Sequence, residues 1–496
     1  MIQNIIVLGG GSAGFLAALA LKTKLPDVRV RIIRSKEIGI IGVGEGSTIT
    51  LTNFLHKYLR IAYTKFFEIA QPTWKLGLKF IWGPRPYFNY SFDNGQLLQR
   101  VPGLSKVKAY YCDDEMSNEC VVSALMSQDR VFERLPDGRP GLHESIAYHF
   151  ENHKFVDFLE QYAAVRGVEI CDDTVQQVHM GEQGVTSLSM ASGRTETADL
   201  YVDSSGFQSL LLGKNLAEPF TSFSSTLACD RAVVGGWDRR PGEVIKPYTT
   251  CETMDSGWCW QIEHSTRVNR GYVYASAFIT DSDAEAEFRR KNPALGPTRI
   301  VKFTSGRYHR AWVKNVVAIG NAYGFVEPLE ATALGVIGVQ SLMLADALAD
   351  CARAPEAIHL RLYNDYLIRY WDSIRAFLAV HYKYNHRVDT PFWRHCWEHT
   401  DLAGAEPFIE LFQATGPSAF WAPSLVETSN QFGLSGYYSM LMGQKVPYRH
   451  LFKPTEKEIQ TWNAARAESA ARAQNGLTVD EALRCVNAPG WKWPQS

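Results

Sequence analysis

An α/β architecture is expected for this chain, with a Rossmann-like dinucleotide-binding module at its start and a mostly helical second half. Three observations carry that expectation. Ile5 to Leu8 is a short apolar run ending in Gly9-Gly10-Gly11-Ser12-Ala13-Gly14, a helix-like stretch from Phe15 to Lys24 follows, and the apolar run Val28 to Ile33 completes β-α-β. Strand-like pieces recur at Val168 to Ile170, Val185 to Met190 and Ala198 to Asp203. From Gly335 onward the spacing turns helical, through Val336 to Ala349 and the aromatic-rich Ile358 to His381. A polar, alanine-rich helix is expected over Thr455 to Gln474, opened by Pro454 and Thr455.

Each element has a physical reason. Gly9 permits the tight turn, Gly11 lets the backbone approach a pyrophosphate, and Gly14 lets the helix pack on the strand; the helix start at Ser12 and Ala13 supplies oriented N–H donors. A lone G-x-G-x-x-G is weak evidence, but here it directly follows a strand and opens a helix, which is the context the motif requires. The acidic residue that usually ends the second strand and binds the ribose is replaced by Arg34, which either bonds ribose or phosphate from another angle or is solvated. A second glycine segment, Gly42-Val43-Gly44-Glu45-Gly46-Ser47, suits a loop passing close to a ligand backbone, and Ser47 or Thr48 could cap the following helix. Asp203-Ser204-Ser205-Gly206 reads either as a flavoprotein-like loop after a strand or as a plain turn.

Composition narrows the function classes. With 51 basic and 52 acidic side chains in 496 residues, no bulk attraction to nucleic acid or an anionic membrane is implied. The length suggests two or three lobes, expected to be interwoven because no linker or repeat separates them. Nine cysteines without a C-x-x-C pair fit a reducing cytoplasm. The N-terminus enters a strand at once, and no apolar run of the ~18 residues needed to span a bilayer stands out, so a soluble, cytoplasmic protein is expected. His395 and His399 are four apart, a spacing metal ligands can use, but no second ligand cluster is evident and packing is the expectation.

Taken together, G-G-G-S-A-G and I-G-V-G-E-G-S-T resemble the flavin-dependent halogenases of the tryptophan type, in which the second loop lies across the cofactor. Thr73-Trp74-Lys75, Gly257-Trp258-Cys259-Trp260-Gln261-Ile262, Phe325 to Thr332 and Tyr437-Tyr438 extend the resemblance over nearly the whole chain. It implies a Rossmann-like FAD-binding module of flavin monooxygenase type over residues 1–335, with a substrate-contacting insertion around 80–150, and a mostly helical substrate lobe over 336–496. FAD, arriving as FADH2 from a separate flavin reductase, would be held at the glycine turn and by Arg34, Gly42, Gly44, Glu45, Val175, Gly320, Asn321 and Leu334. No second G-x-G-x-x-G is present for a nicotinamide nucleotide.

In that resemblance FADH2, dioxygen and chloride or bromide give hypohalous acid, a diffusible oxidant that must be kept from the wrong carbon. Lys75 is implied as the relay that delivers it, and Glu330 as the carboxylate that orients it or takes the proton of aromatic substitution. The backbone at Thr332 and Ala333 is implied to hold the halide. Trp258 and Trp260, two apart on a strand, share one face and would wall the substrate off; Glu263 stands where the signature has proline. Tyr90, Phe92, Tyr437 and Tyr438 would line the substrate site, stacking on a flat ring. Gln444 stands where tryptophan halogenases carry the glutamate for the substrate ammonium, which favours a neutral indole or a larger aromatic compound over the free amino acid. The alternatives are a flavin monooxygenase that hydroxylates its substrate, and a catalytically silent flavin-binding protein.

Overall fold

The computed structural model describes residues 1–37, 44–92, 101–105, 109–417, 424–425 and 430–493. The first apolar run becomes the strand Asn4–Leu8, inside a six-stranded sheet ordered Trp312–Val313, Val316–Ala318, Leu200–Asp203, Asn4–Leu8, Arg29–Arg34, Glu169–Asp172. All pairings are parallel except that of Trp312–Val313 at the edge. Ile5 stands opposite Leu200 and Val30. Covered on both faces, the strand is buried from Ile5 onward, which is why it reads as an unbroken apolar run. The helix Ser12–Lys24 lies on this sheet with Gly14 to Leu21 buried.

A second sheet of seven strands faces the module, ordered Arg299–Lys302, Arg231–Asp238, Arg267–Tyr274, Gly257–Glu263, Thr249–Met254, Gly77–Ile81, Phe88–Ser91. It is antiparallel apart from the pair Thr249–Met254 with Gly77–Ile81. A small sheet of Glu45–Gly46, Ala147–Phe150 and Thr73–Lys75 brings the second glycine segment beside Lys75. Beyond residue 332 the regular structure is helical, from Ala333–Asp350 and Ala357–Lys383 to Val479–Val486. One hydrophobic cluster runs from Ile2 to Val486, so both halves share a core.

Local signals explain some of the helix starts and not others. Thr455 caps Glu456–Gln474 in a reciprocal capping box with Glu458. Thr48 occupies the N-cap position of Ile49–Asn53 but its hydroxyl makes no cap bond, and the Ser47 hydroxyl is taken by the backbone of Tyr148; neither caps that helix by its side chain. The expectation that no stretch reaches membrane-spanning length is also corrected. Ala333–Asp350 does so by length and apolar content, yet Leu334, Val336, Ile337, Leu344 and Leu348 are buried in the protein, as in a core helix.

Two glycines of the first turn make different demands. A Cβ on Gly14 would lie 2.0 Å from the Gly9 carbonyl oxygen, whereas one on Gly11 would meet nothing within 4 Å. Gly14→Ala is therefore expected to cost about 1–3 kcal/mol of stability through overpacking, seen as a lowered unfolding midpoint. Gly11→Ala is expected to leave that midpoint in place and to weaken dinucleotide binding at least tenfold in a fluorescence titration.

Candidate active site

The first turn forms one wall of a cavity of about 850 Å³. Gly9, Gly11, Ser12 and Ala13 line it, with Arg34, Gly44, Glu45, Val175, Asn321, Ala333 and Leu334 around the remaining sides. No side chain caps the helix that starts at Ser12, so its first amides face the cavity without an internal acceptor. Those free donors, beside a backbone that carries no Cβ, fit a dinucleotide phosphate. Glu45 is half-buried and accepts from Asn152 Nδ2 at 2.7 Å, and partial loss of solvent raises its carboxyl above the usual range.

Four expected cofactor residues stand differently. Arg34 is not solvated: its guanidinium pairs with both Glu160 oxygens at 2.5 Å, leaving only its buried Nε without a partner. Gly14 and Gly320 shape the wall from behind. Gly320 has φ +66°, donates its N–H to Gln340 Oε1, and would place a Cβ 3.0 Å from Ala13. Gly42 lies outside the described residues. Ser204, Ser205 and Gly206 line the cavity, but Asp203 turns away to accept from the amides of Leu211 and Leu212.

Trp260 lines the same cavity with its ring flat against Gly271, where a Cβ would lie 2.4 Å from the indole. Trp258 is not among the lining residues. Its indole N–H donates at 2.6 Å to the buried carboxyl of Glu327, which also accepts from the Tyr382 hydroxyl. Burial pushes the Glu327 carboxyl up to about 7. Glu263, in place of the signature proline, is buried in an ion pair with Arg239 at 2.5 Å, and its backbone carbonyl accepts from the Thr73 hydroxyl. It thereby ties the tryptophan strand to the strand that bears Lys75.

Lys75 is fully buried, and among the described residues its ammonium makes one hydrogen bond, to the Ser47 carbonyl at 3.0 Å. Burial brings its pKa down to about 8, against the opposing pull of Cys251 and Glu330. Glu330 lies in a 3-10 turn, Pro328–Glu330, followed by Ala331 in the left-handed region at φ +54° and then by the helix Ala333–Asp350. It is thus not a helix-start carboxylate. Its Oε1 is 2.7 Å from His381 Nε2, whose Nδ1 is 3.0 Å from the Phe377 carbonyl. Nδ1 can only donate there, so a neutral His381 presents a lone pair to Glu330, and the 2.7 Å contact holds only if the pair carries one further proton. Burial raises the Glu330 carboxyl, while His381 and Lys75 hold it down.

Lys75 and Glu330 stand immediately behind the cavity wall. Gly46 and Ala331 line the cavity, and a Cβ on Gly46 would sit 3.3 Å from Lys75 Nζ, 3.3 Å from the Ala331 Cβ and 3.2 Å from Thr249 Oγ1. On the other side, Lys75 Nζ is 5.1 Å from the Phe92 ring centroid. Tyr90 is 6.5 Å from Phe92 and 6.3 Å from Phe377, which is 4.9 Å from His381 and 5.1 Å from Tyr437. Tyr438 packs on Phe408 and Phe412. Phe408 also lies 4.8 Å from Tyr437, so the four expected aromatic residues are linked ring to ring, with the expected catalytic pair against them. Gln444 is buried, its amide donating to the Val380 carbonyl. Thr332 is buried at the start of the helix Ala333–Asp350, which no side chain caps.

His381, Tyr382, Phe377 and Glu327 escaped sequence reading. Phe377 and His381 sit four apart at the end of the aromatic-rich run, a spacing that places both on one helical face, and that was the available signal. His395 and His399 have ring centroids 4.9 Å apart, His395 packing on Phe278; among the described residues no group of three His, Cys, Asp or Glu is gathered for a metal ion.

Residues 4–457 match the family model described as tryptophan halogenase. Among curated proteins the chain is 31% identical to the tryptophan 7-halogenase KtzQ of Kutzneria sp. (strain 744), covering 87% of this chain and 85% of that one. Among solved structures it is similar to MibH, a lanthipeptide tryptophan 5-halogenase, with 39% identity, TM-score 0.88, and 98% and 93% coverage of the two chains. It also resembles Xcc4156, a flavin-dependent halogenase from Xanthomonas campestris, at 25% identity and TM-score 0.85, covering 98% of each chain.

Burial of Lys75 makes a stability prediction whose sign is fixed. A lysine at about 8 in the folded chain and 10.5 unfolded disfavours folding below pH 8, and that penalty falls away as pH rises from 8 to 10.5. Lys75→Met is therefore expected to be more stable than the parent at pH 7, by about 1–3 kcal/mol, with the difference shrinking toward pH 10 in urea denaturation. A destabilised variant at pH 7 would show that the ammonium is not a burden on the fold.

Proposed function

This chain belongs to the tryptophan halogenase family and is a flavin-dependent halogenase, and from that premise we propose that it chlorinates or brominates an electron-rich carbon of an indole-type substrate, using FADH2 and dioxygen. The observation that carries the reading is the position of Lys75 and Glu330, buried together directly behind Gly46 and Ala331 of the cofactor cavity. FAD bound there as FADH2 supplies, with dioxygen and halide, the oxidising equivalent as hypohalous acid. Gly9 to Ala13 would hold its pyrophosphate, and the backbone at Thr332 and Ala333, opening an uncapped helix, would hold chloride or bromide. A separate flavin reductase would deliver FADH2 by diffusion. Residues 1–335 would carry the cofactor and residues 336–496 most of the substrate lobe.

The residues divide the chemistry by side. Gly46, carrying no Cβ, keeps the wall between the cavity and Lys75 thin, so hypohalous acid formed in the cavity would meet the ammonium there first. The Lys75 ammonium donates a hydrogen bond to it, which needs no deprotonation at neutral pH. Glu330, held at one carboxyl oxygen by His381, accepts at its other oxygen the proton released by the substituted ring. Tyr90, Phe92 and Tyr437 would hold the flat ring, and Trp260 with the bonded Trp258 would keep it from the flavin. Gln444 carries no charge: its amide N–H donates to the Val380 carbonyl and its buried Oε1 has no partner among the described residues, so a free amino acid would find a neutral oxygen there and no carboxylate for its ammonium. An indole carried on a larger molecule avoids that cost, and a tryptophan within a peptide, the substrate in MibH's name, is such a molecule.

Two outcomes test this. Supplied with a flavin reductase, dioxygen and bromide or chloride over a panel of indoles, the enzyme should give products with the halogen isotope pattern by mass spectrometry. Lys75→Ala and Glu330→Gln should each lower halogenation about 10²–10⁴-fold with FAD still bound; oxygenated product without halogen would instead mark a monooxygenase. Gly46→Ala sets a methyl against Lys75 Nζ, and is expected to keep FAD binding and halide-dependent flavin oxidation while organic halogenation drops and hypohalous acid escapes to an added trap.

A further inference from the structure

A second cavity, of about 520 Å³, opens where the helix Gly433–Gly443 ends, lined among others by Tyr110, Tyr111, Met442, Lys445, Tyr448 and Asn463. We infer that this cavity takes the peptide chain flanking the indole to be halogenated, an inference that rests on the reading of the substrate as an indole carried on a larger molecule. Its position is the first support. Tyr448 packs on Phe412 at 5.2 Å, and Phe412 packs on Tyr438 at 6.3 Å, so a single ring separates the cavity from the tyrosine pair of the substrate lobe. Met442 lies on the same helix as that pair.

The lining chemistry is the second. Both carboxylates of the cavity are already neutralised, Asp113 by Arg466 at 2.5 Å and Asp114 by Arg85 at 2.7 Å, so nothing there calls for a small cation. Met442, Val446, Pro447 and Ile459 offer apolar surface, whereas the Lys445 ammonium and the Asn463 amide make no hydrogen bond or ion pair among the described residues. That combination suits a peptide, whose carbonyls accept from Lys445 and Asn463 while its apolar side chains cover the rest.

Lys445 itself supplies the third. It stands at the left-handed position after the helix, φ +54°, in a Schellman arrangement in which the Val446 amide donates to the Leu441 carbonyl at 2.9 Å. Glycine takes that conformation without the Cβ penalty of about 1–2 kcal/mol. A lysine in place of glycine puts a long, solvent-exposed side chain on the lining of the cavity, where a ligand can meet it.

The test starts from a pool of randomised nonapeptides with a fixed central tryptophan, halogenated by the holoenzyme with its reductase and read by mass spectrometry. The best member is then compared with N-acetyl-tryptophan amide. In the parent enzyme its kcat/KM should exceed that of the amide at least tenfold. Asn463→Trp, which fills the cavity from an exposed helical position, and Lys445→Gly, which keeps the cap, should each raise the nonapeptide KM at least fivefold and leave kcat/KM for the amide unchanged. Fluorescence anisotropy of the labelled nonapeptide, without reduced flavin, should show the same loss of affinity. Free indoles halogenated with no peptide product would overturn the peptide-borne substrate and this site with it. Peptides halogenated with KM unmoved in both variants, or both substrates impaired alike, would overturn the cavity assignment alone.

Discussion

Burying the Lys75 ammonium with a single carbonyl to bond, that of Ser47, is the constraint around which the surrounding structure is arranged. A buried charge with so little compensation is costly, and the cost is met by bringing Glu330 within electrostatic reach while denying it a direct ion pair. Glu330 is instead drawn to His381, so lysine and carboxyl stay separate groups with space between them. His381 and Tyr382, consecutive on the long helix Ala357–Lys383, hold Glu330 and Glu327 respectively, so one helix end fixes both ends of the turn between them. Through Glu327 the same grip reaches the indole of Trp258. Lys75, Glu330 and Trp258 are thus set by one packed junction of helix, turn and sheet.

Departures from the family pattern are absorbed by internal partners. Arg34, where an acidic residue usually binds ribose, is neutralised by Glu160. Glu263, where a proline is usual, pairs with Arg239 and joins the tryptophan strand to Thr73. Gln444 gives its amide to Val380. In each case the side chain has found a partner, although among the described residues the buried Arg34 Nε and Gln444 Oε1 have none. The first two are ion pairs; the third leaves an uncharged side chain, which under the proposed function bears on the substrate.

By itself the sequence determined what depends on neighbours along the chain. The glycine turn, the apolar strand and the helix after it are local, so G-G-G-S-A-G placed the dinucleotide wall. Helical periodicity likewise placed Ala333–Asp350 and Ala357–Lys383, and Thr455 with Glu458 marked a helix start. Trp258 and Trp260 share a face because strand geometry repeats every two residues. Yet only the fold showed that Trp260 reaches the cavity while Trp258 is held by Glu327. The tertiary structure alone decided that Lys75 and Glu330 are buried within electrostatic reach of each other, that His381 bonds Glu330, and that Arg34 is paired. Those contacts join residues tens to hundreds of positions apart, and their energies come from burial and distance, which no local pattern encodes.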